Sequence, residues 1–193
     1  MTKARAEAFS DGVFAVAATL LVFSIPIPAA NSSLGTTLLG EWPSYAAYVI
    51  SFVTILVIWV NHHTTIDAIS TFDRTLLFLN GLLLMTVAVI PFTTGVLARA
   101  LQSGHDQSVA AVAYGVSGTA MSLAFSLINT YAKVRRLFTT PFSLLGYSLG
   151  QLGYPVATLI AVGSYQTALA IYAALAAFYA AFPLIREAQL RRR

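Results

Sequence analysis

Residues 9–25 read Phe9-Ser10-Asp11-Gly12-Val13-Phe14-Ala15-Val16-Ala17-Ala18-Thr19-Leu20-Leu21-Val22-Phe23-Ser24-Ile25, with one charge at the start and none after it before Pro26-Ile27-Pro28 ends the run. A helix rises about 1.5 Å per residue, so some 20 mostly apolar residues cross roughly 30 Å of hydrocarbon. This stretch is therefore read as a membrane span. An aspartate where a signal peptide would be uncharged, and an apolar run long enough to span, argue against a cleavable leader.

Working outward, five more stretches meet the same criterion. A Ser/Gly/Thr loop over 31–40 leads to Trp42-Pro43, which opens a second span over about 42–61. Further spans are expected at about 76–97, 109–131, 142–162 and 165–185. The division at Gly163-Ser164 is forced by length, because 142–185 is far too long for one crossing. Pro91 and Pro155 fall inside spans, where neighbouring helices can satisfy the freed carbonyls, and kinks are expected there. Neither an internal repeat nor a low-complexity tail is evident, so residues 1–193 are expected to form one domain. The fold class expected is an all-α membrane protein of six transmembrane helices.

The composition agrees. The chain is 58% hydrophobic and 9% charged, with a mean hydropathy of +0.76. Soluble domains carry about 25% charged residues because their surface faces water. The shortage of charge implies lipid as the solvent. There is no cysteine, which excludes disulfides and thiolate metal sites. The net charge of +4 is not a nucleic-acid footprint, since its placement follows the loops. With the N-terminus inside, Lys3, Arg5, Arg74, Lys133, Arg135, Arg136, Arg186, Arg191, Arg192 and Arg193 are all cytoplasmic, and Arg99 alone lies outside. The positive-inside rule thus favours both termini cytoplasmic and an even number of helices. Trp42, Tyr45, Tyr48, Tyr131 and Tyr165 sit near span ends, as interfacial aromatics do.

Charges beside a lipid-exposed span are candidates for function. Arg5 and Asp11 are six residues apart, on different faces of one helix, and so suit bonds to neighbouring helices; the plain alternative is a helix cap or an interfacial carboxylate. Val16, Leu20 and Phe23 follow at i, i+4 and i+7, with Thr19 beside them. Such a stripe is packing or lipid contact in most helices, and otherwise an apolar constriction that closes a pore by dewetting. Trp59, Asn61, His62 and His63, with Asp67 four residues beyond His63, form a second group. A metal or proton-relay site is one reading. Without a third inward carboxylate, a hydrogen-bonded network tying helices together is favoured, and no metal or cofactor is expected. Asn80 and Pro91-Phe92-Thr93-Thr94 form a third group, with Asn80 suited to bond across helices. No GxSxG, Walker or TVGYG string occurs, so no enzyme is expected.

The pattern Arg5-x-x-x-Phe9-Ser10-Asp11 at the start of helix one resembles the signature of prokaryotic relatives of transmembrane protein 175, the endolysosomal potassium channel family. Trp59 with His62-His63 is similar to the end of that family's second helix, and Asn80 through Pro91-Phe92 to its third. The resemblance covers most of residues 5–95; beyond them only hydropathy and length match. It implies a potassium-preferring channel for monovalent cations, a homotetramer in a prokaryotic plasma membrane. Helix one would line the pore without a carbonyl filter. Constriction rings would fall on Val16, Leu20 and Phe23, with a polar layer at Thr19 and permeant K+ between them. The innermost ring is more often Ile or Leu in the family, and Val16 departs from that. Arg5, Phe9, Ser10 and Asp11 would be architectural, with Trp59, His62, His63 and Asn80 as partners. Rival readings are a secondary transporter or proton-coupled carrier, which needs a polar midplane site, a membrane enzyme using His62, His63 and Asp67, and an assembly protein with no pore.

Overall fold

The computed structural model describes residues 3–28, 33–139 and 148–190. Among the described residues seven helices follow one another: α1 (Lys3–Leu20), running on as a 3-10 turn over Leu21–Ser24, α2 (Leu34–Gly40), α3 (Trp42–Ala68), α4 (Arg74–Ser103), α5 (Gln107–Val134), α6 (Ser148–Gly163) and α7 (Tyr165–Leu190). Among the described residues, four segments are long and apolar enough to cross a membrane: Lys3–Ser24, Trp42–Ala68, Arg74–Ser103 and Gln107–Val134. Two shorter apolar helices, Gln151–Gly163 and Tyr165–Ala181, accompany them.

α4 and α5 outrun the apolar stretches at both ends, α1 at its start and α3 at its end, because the backbone ladder continues past the apolar run until something stops it. α3 passes through Asn61-His62-His63 and ends only where Ile69 turns extended. α4 begins at Asp73, whose Oδ1 accepts from the Leu76 N–H at 2.9 Å, and ends at Gly104 in the left-handed conformation, φ 73°. The Tyr131 hydroxyl donates to Asp73 Oδ2 at 2.7 Å. That bond first, and the Leu76 amide second, hold the Asp73 carboxyl below its ordinary value. The break between α6 and α7 falls at Ser164, where length required it. The stretch 34–40, expected as loop, is helical over seven residues. Pro91 and Pro155 lie inside α4 and α6. The expected beginning of the fifth span, 142–147, lies outside the described residues, as do 29–32 and Arg191–Arg193.

α4 is the central post, packed against α1, α3 and α5, while α5 also carries α6 and α7. Phe14, Leu21, Ile55, Leu83, Val87, Ile90, Phe125 and Ile128 build one apolar core where α1, α3, α4 and α5 meet. Tyr114, Tyr154 and Tyr172 anchor a second between α5, α6 and α7. Here α5 must come close to its neighbours. A Cβ at Gly118 would stand 2.5 Å from the Tyr154 ring, and one at Gly115 would overlap Tyr172 Oη and Thr158. Small residues of this kind let helix backbones approach in lipid, where packing rather than hydrophobic burial drives association. Hydroxyls join the two cores: Thr94 donates to Ser51 at 2.8 Å, Ser51 to the Tyr114 hydroxyl at 3.2 Å, and Thr93 and Ser117 share a bond of 2.9 Å.

One end of the bundle is stapled by polar contacts. Lys3 Nζ donates to the carbonyls of Asp67 (3.1 Å) and Ile69 (3.3 Å), completing the C-terminus of α3. Residues 68–70 pair with 137–139 through an isolated antiparallel bridge, Ser70 N–H to Leu137 O and Thr139 N–H to Ala68 O, each 2.9 Å. The start of α1, the α3–α4 turn and the segment after α5 therefore share one end. The α4–α5 turn and the 3-10 tail of α1 border a common cavity at the other.

Candidate pore helix and its anchoring network

α1 has two unlike faces. Ala6, Ser10, Phe14, Ala17 and Leu21 recur at helical spacing and are buried against α3 and α4. Val16, Leu20 and Phe23 point away, 57%, 43% and 81% exposed, with Thr19 exposed beside them. A span whose inner stripe is sealed and whose outer stripe is bare and apolar must place the bare stripe against lipid, another copy, or a pore. Thr19 donates its hydroxyl proton back to the Val16 carbonyl at 2.9 Å, leaving its oxygen lone pairs on the bare face.

The buried face is held by an ordered chain of hydrogen bonds. His62 Nε2 donates to Asn80 Oδ1 (2.7 Å), Asn80 Nδ2 donates to Ser10 Oγ (2.9 Å), and Ser10 Oγ donates to the Ala6 carbonyl (2.8 Å). All three side chains are buried. Every proton points the same way, from α3 through α4 into α1. Such a chain is self-consistent only with the His62 proton on Nε2. The Phe14 ring rests on His62, centroids 5.3 Å apart. One turn earlier on α3, Trp59 Nε1 donates to Asp11 Oδ1 at 2.8 Å.

The remaining signature positions are placed differently. Arg5 is exposed and makes no hydrogen bond or ion pair with the described residues, and Phe9 is exposed as well. His63 points away from His62, as adjacent helix residues do. It stacks on Trp59 (centroids 6.1 Å) and approaches Asp67 Oδ2 at 3.4 Å, both partners exposed. His62 and the His63–Asp67 pair thus do not converge, and among the described residues no group of three His, Asp or Glu could hold a metal. Asn61 and Thr54 border a small cavity of about 60 Å³ against α5, α6 and α7, away from α1. Lys3, which ties α1 to the end of α3, was not singled out from sequence; its one readable signal is a cation in the first turn of a span.

Comparison with known proteins adds four findings. A family model described as the endosomal/lysosomal potassium channel TMEM175 matches residues 5–91. A potassium channel of Streptomyces collinus is 40% identical over 185 residues, covering 91% of this chain and 90% of that one. One of Chamaesiphon minutus is 44% identical over 133 residues, 66% of this chain and 64% of its relative. The crystal structure of a lysosomal potassium-selective channel TMEM175 homolog from Chamaesiphon minutus superposes with a TM-score of 0.82 at 35% identity, covering 92% of this chain and 96% of that one. The segment matched by the family model includes α1 from Arg5 onward and the His62–Asn80–Ser10 chain. From the family model and the nearly full-length relative, this multi-pass membrane protein belongs to the TMEM175 potassium-channel family and is not an enzyme.

Proposed function

We propose that this protein is a potassium-preferring cation channel in which α1 lines a central pore formed by four copies of the chain. The observation that carries the reading is the bare apolar stripe of Val16, Leu20 and Phe23 on a helix whose opposite face is pinned by buried hydrogen bonds. Repeated about an axis, each of these side chains would form a ring that holds water when wide and dries when narrow. The four Thr19 oxygens would supply a polar layer between the apolar rings. An ion crossing such a neck is stripped only in part, and potassium parts with water at lower cost than sodium, so selectivity is modest beside that of a carbonyl cage.

The same reading assigns six membrane crossings within residues 1–193, with α6 and α7 as the fifth and sixth, and both termini cytoplasmic in a cell membrane. Supporting the orientation, Lys3, Arg5, Arg74, Lys133, Arg135 and Arg136 belong to the stapled end, whereas Arg99 borders the cavity at the other.

The test is single-channel recording from purified protein in planar bilayers. Leu20→Asn and Phe23→Ala are expected to raise conductance or open probability, and Val16→Ala to lower the potassium preference. Leu159→Ala, at an exposed position of α6, serves as control. Absence of current steps, or α1 variants that behave as the control does, would overturn the assignment.

A further inference from the structure

At the end of the bundle opposite the staple, the 3-10 tail of α1, the outer half of α4 and the start of α5 enclose a cavity of about 710 Å³. That volume lies within the range of about 300–1,000 Å³ typical of pockets for drug-sized ligands. Its walls include Leu20, Phe92, Val96 and Val109, and its rim carries Arg99, Gln102, His105 and Asp106. The rim holds two full charges of opposite sign. Among the described residues neither Arg99 nor Asp106 lies within 4.0 Å of an opposite charge, so they do not neutralise each other. Asp106 stands at the N-cap position of α5, yet its carboxylate caps nothing. His105 Nδ1 is engaged with the Ser103 carbonyl at 2.8 Å.

From this arrangement we infer a site for a zwitterionic phospholipid, with one acyl chain in the apolar part, the phosphate on Arg99 and the headgroup ammonium on Asp106. Arginine binds phosphate through paired, charge-assisted hydrogen bonds. A simple anion would satisfy Arg99 but be repelled by Asp106; an ethanolamine headgroup answers both. That the site faces the outer leaflet rests on the orientation proposed above. Within that reading Leu20 and Phe23 face the pore axis, so the acyl chain is assigned to Phe92, Val96 and Val109 on the α4–α5 side of the cavity.

The test is native mass spectrometry of the full-length protein equilibrated in detergent with phosphatidylethanolamine or phosphatidylglycerol of matched chains. Wild type is expected to retain phosphatidylethanolamine preferentially. Arg99→Gln should reduce retention of both lipids by about tenfold, the size of a lost charge-assisted hydrogen bond. Asp106→Asn should abolish the headgroup preference while binding persists. Val96→Trp, which fills the apolar part and leaves the rim charges in place, should displace lipid from an assembly that still elutes normally. Equal retention by wild type and Arg99→Gln would mean annular lipid only and overturn the proposal. So would competition by free phosphoethanolamine as effective as that by the intact lipid, which would mark a small-solute site. Lipid retention is read independently of ion flux. Missing currents therefore count against the channel alone, and missing lipid against this site alone.

Discussion

Asn80 is the middle link of the only chain of buried polar side chains that joins α1 to both α3 and α4 among the described residues. Its replacement by alanine removes two hydrogen bonds, of 2.7 and 2.9 Å, at once. In a membrane such bonds average about 0.6 kcal/mol and reach about 1.7, because the unfolded chain finds other partners in the bilayer. Two of them give about 1–3 kcal/mol. The change also leaves His62 Nε2–H without an acceptor in a buried position, and an orphaned buried donor costs about 1–3 kcal/mol by itself. These two counts overlap, so about 2–4 kcal/mol is expected rather than their sum. Ser10 is spared, because its hydroxyl still donates to the Ala6 carbonyl. The assay is reversible unfolding in mixed micelles, comparing Asn80→Ala with Met85→Ala, an exposed position on the same helix. A Ser10→Ala/Asn80→Ala cycle should give a coupling of at least about 0.5 kcal/mol. If Asn80→Ala costs no more than Met85→Ala, or the cycle closes to zero, the chain does not hold the helix and the argument for an anchored α1 fails.

Gly118→Ala should destabilise by about 1–3 kcal/mol, since the added methyl meets the Tyr154 ring and that ring is stacked on Tyr172, centroids 5.8 Å apart; thermal unfolding of the purified protein checks it. Trp59→Phe should cost less than Asn80→Ala, because the Asp11 carboxylate it abandons is exposed and regains water, and the same unfolding assay ranks the two. Asp73 has a lowered pKa, so its contribution to stability is fully present above the ordinary aspartate value of 3.8 and is lost as pH falls through its lower folded value. Tyr131→Phe should therefore flatten the acid limb of a stability-versus-pH profile without moving the neutral plateau's shape.

Much of this architecture could be read from the residues because lipid imposes a simple requirement: twenty apolar residues or no crossing. The bare stripe of α1 was legible for the same reason, since Val16, Leu20 and Phe23 recur at helical spacing. Helix ends were less legible. Asn61-His62-His63 mark where the apolar run stops, but α3 continues to Ala68 because hydrogen bonding, not hydropathy, decides where a helix ends. The seven-residue α2 carries Gly35 and two threonines and buries no residue, so nothing in its composition distinguishes it from loop. Among polar residues, Ser10, His62 and Asn80 could be nominated as partners, but their order could not. Whether Arg5 or Ser10 faced inward depends on a rotation of about 100° per residue that only packing fixes. Thr94 stands out beside Pro91, but its partners Ser51 and Tyr114 do not, because single Ser and Tyr residues are common inside apolar helices and their meeting is a property of three helices at once.

The staple at one end of the bundle has a mechanical corollary for α1. Lys3, Ser10 and Asp11 are all tied to α3 or α4 by side-chain hydrogen bonds, whereas among the described residues the 3-10 turn at Leu21–Ser24 is held to its neighbours by apolar packing alone, the Ser24 hydroxyl donating to its own Leu21 carbonyl. A rod clamped at Ser10 pivots rather than slides. Val16 lies roughly 9 Å from that clamp and Phe23 roughly 20 Å, at about 1.5 Å per residue. Any given tilt therefore carries Phe23 about twice as far as Val16, so the broad ring at the tip sweeps the larger arc and the valine nearer the fulcrum about half of it.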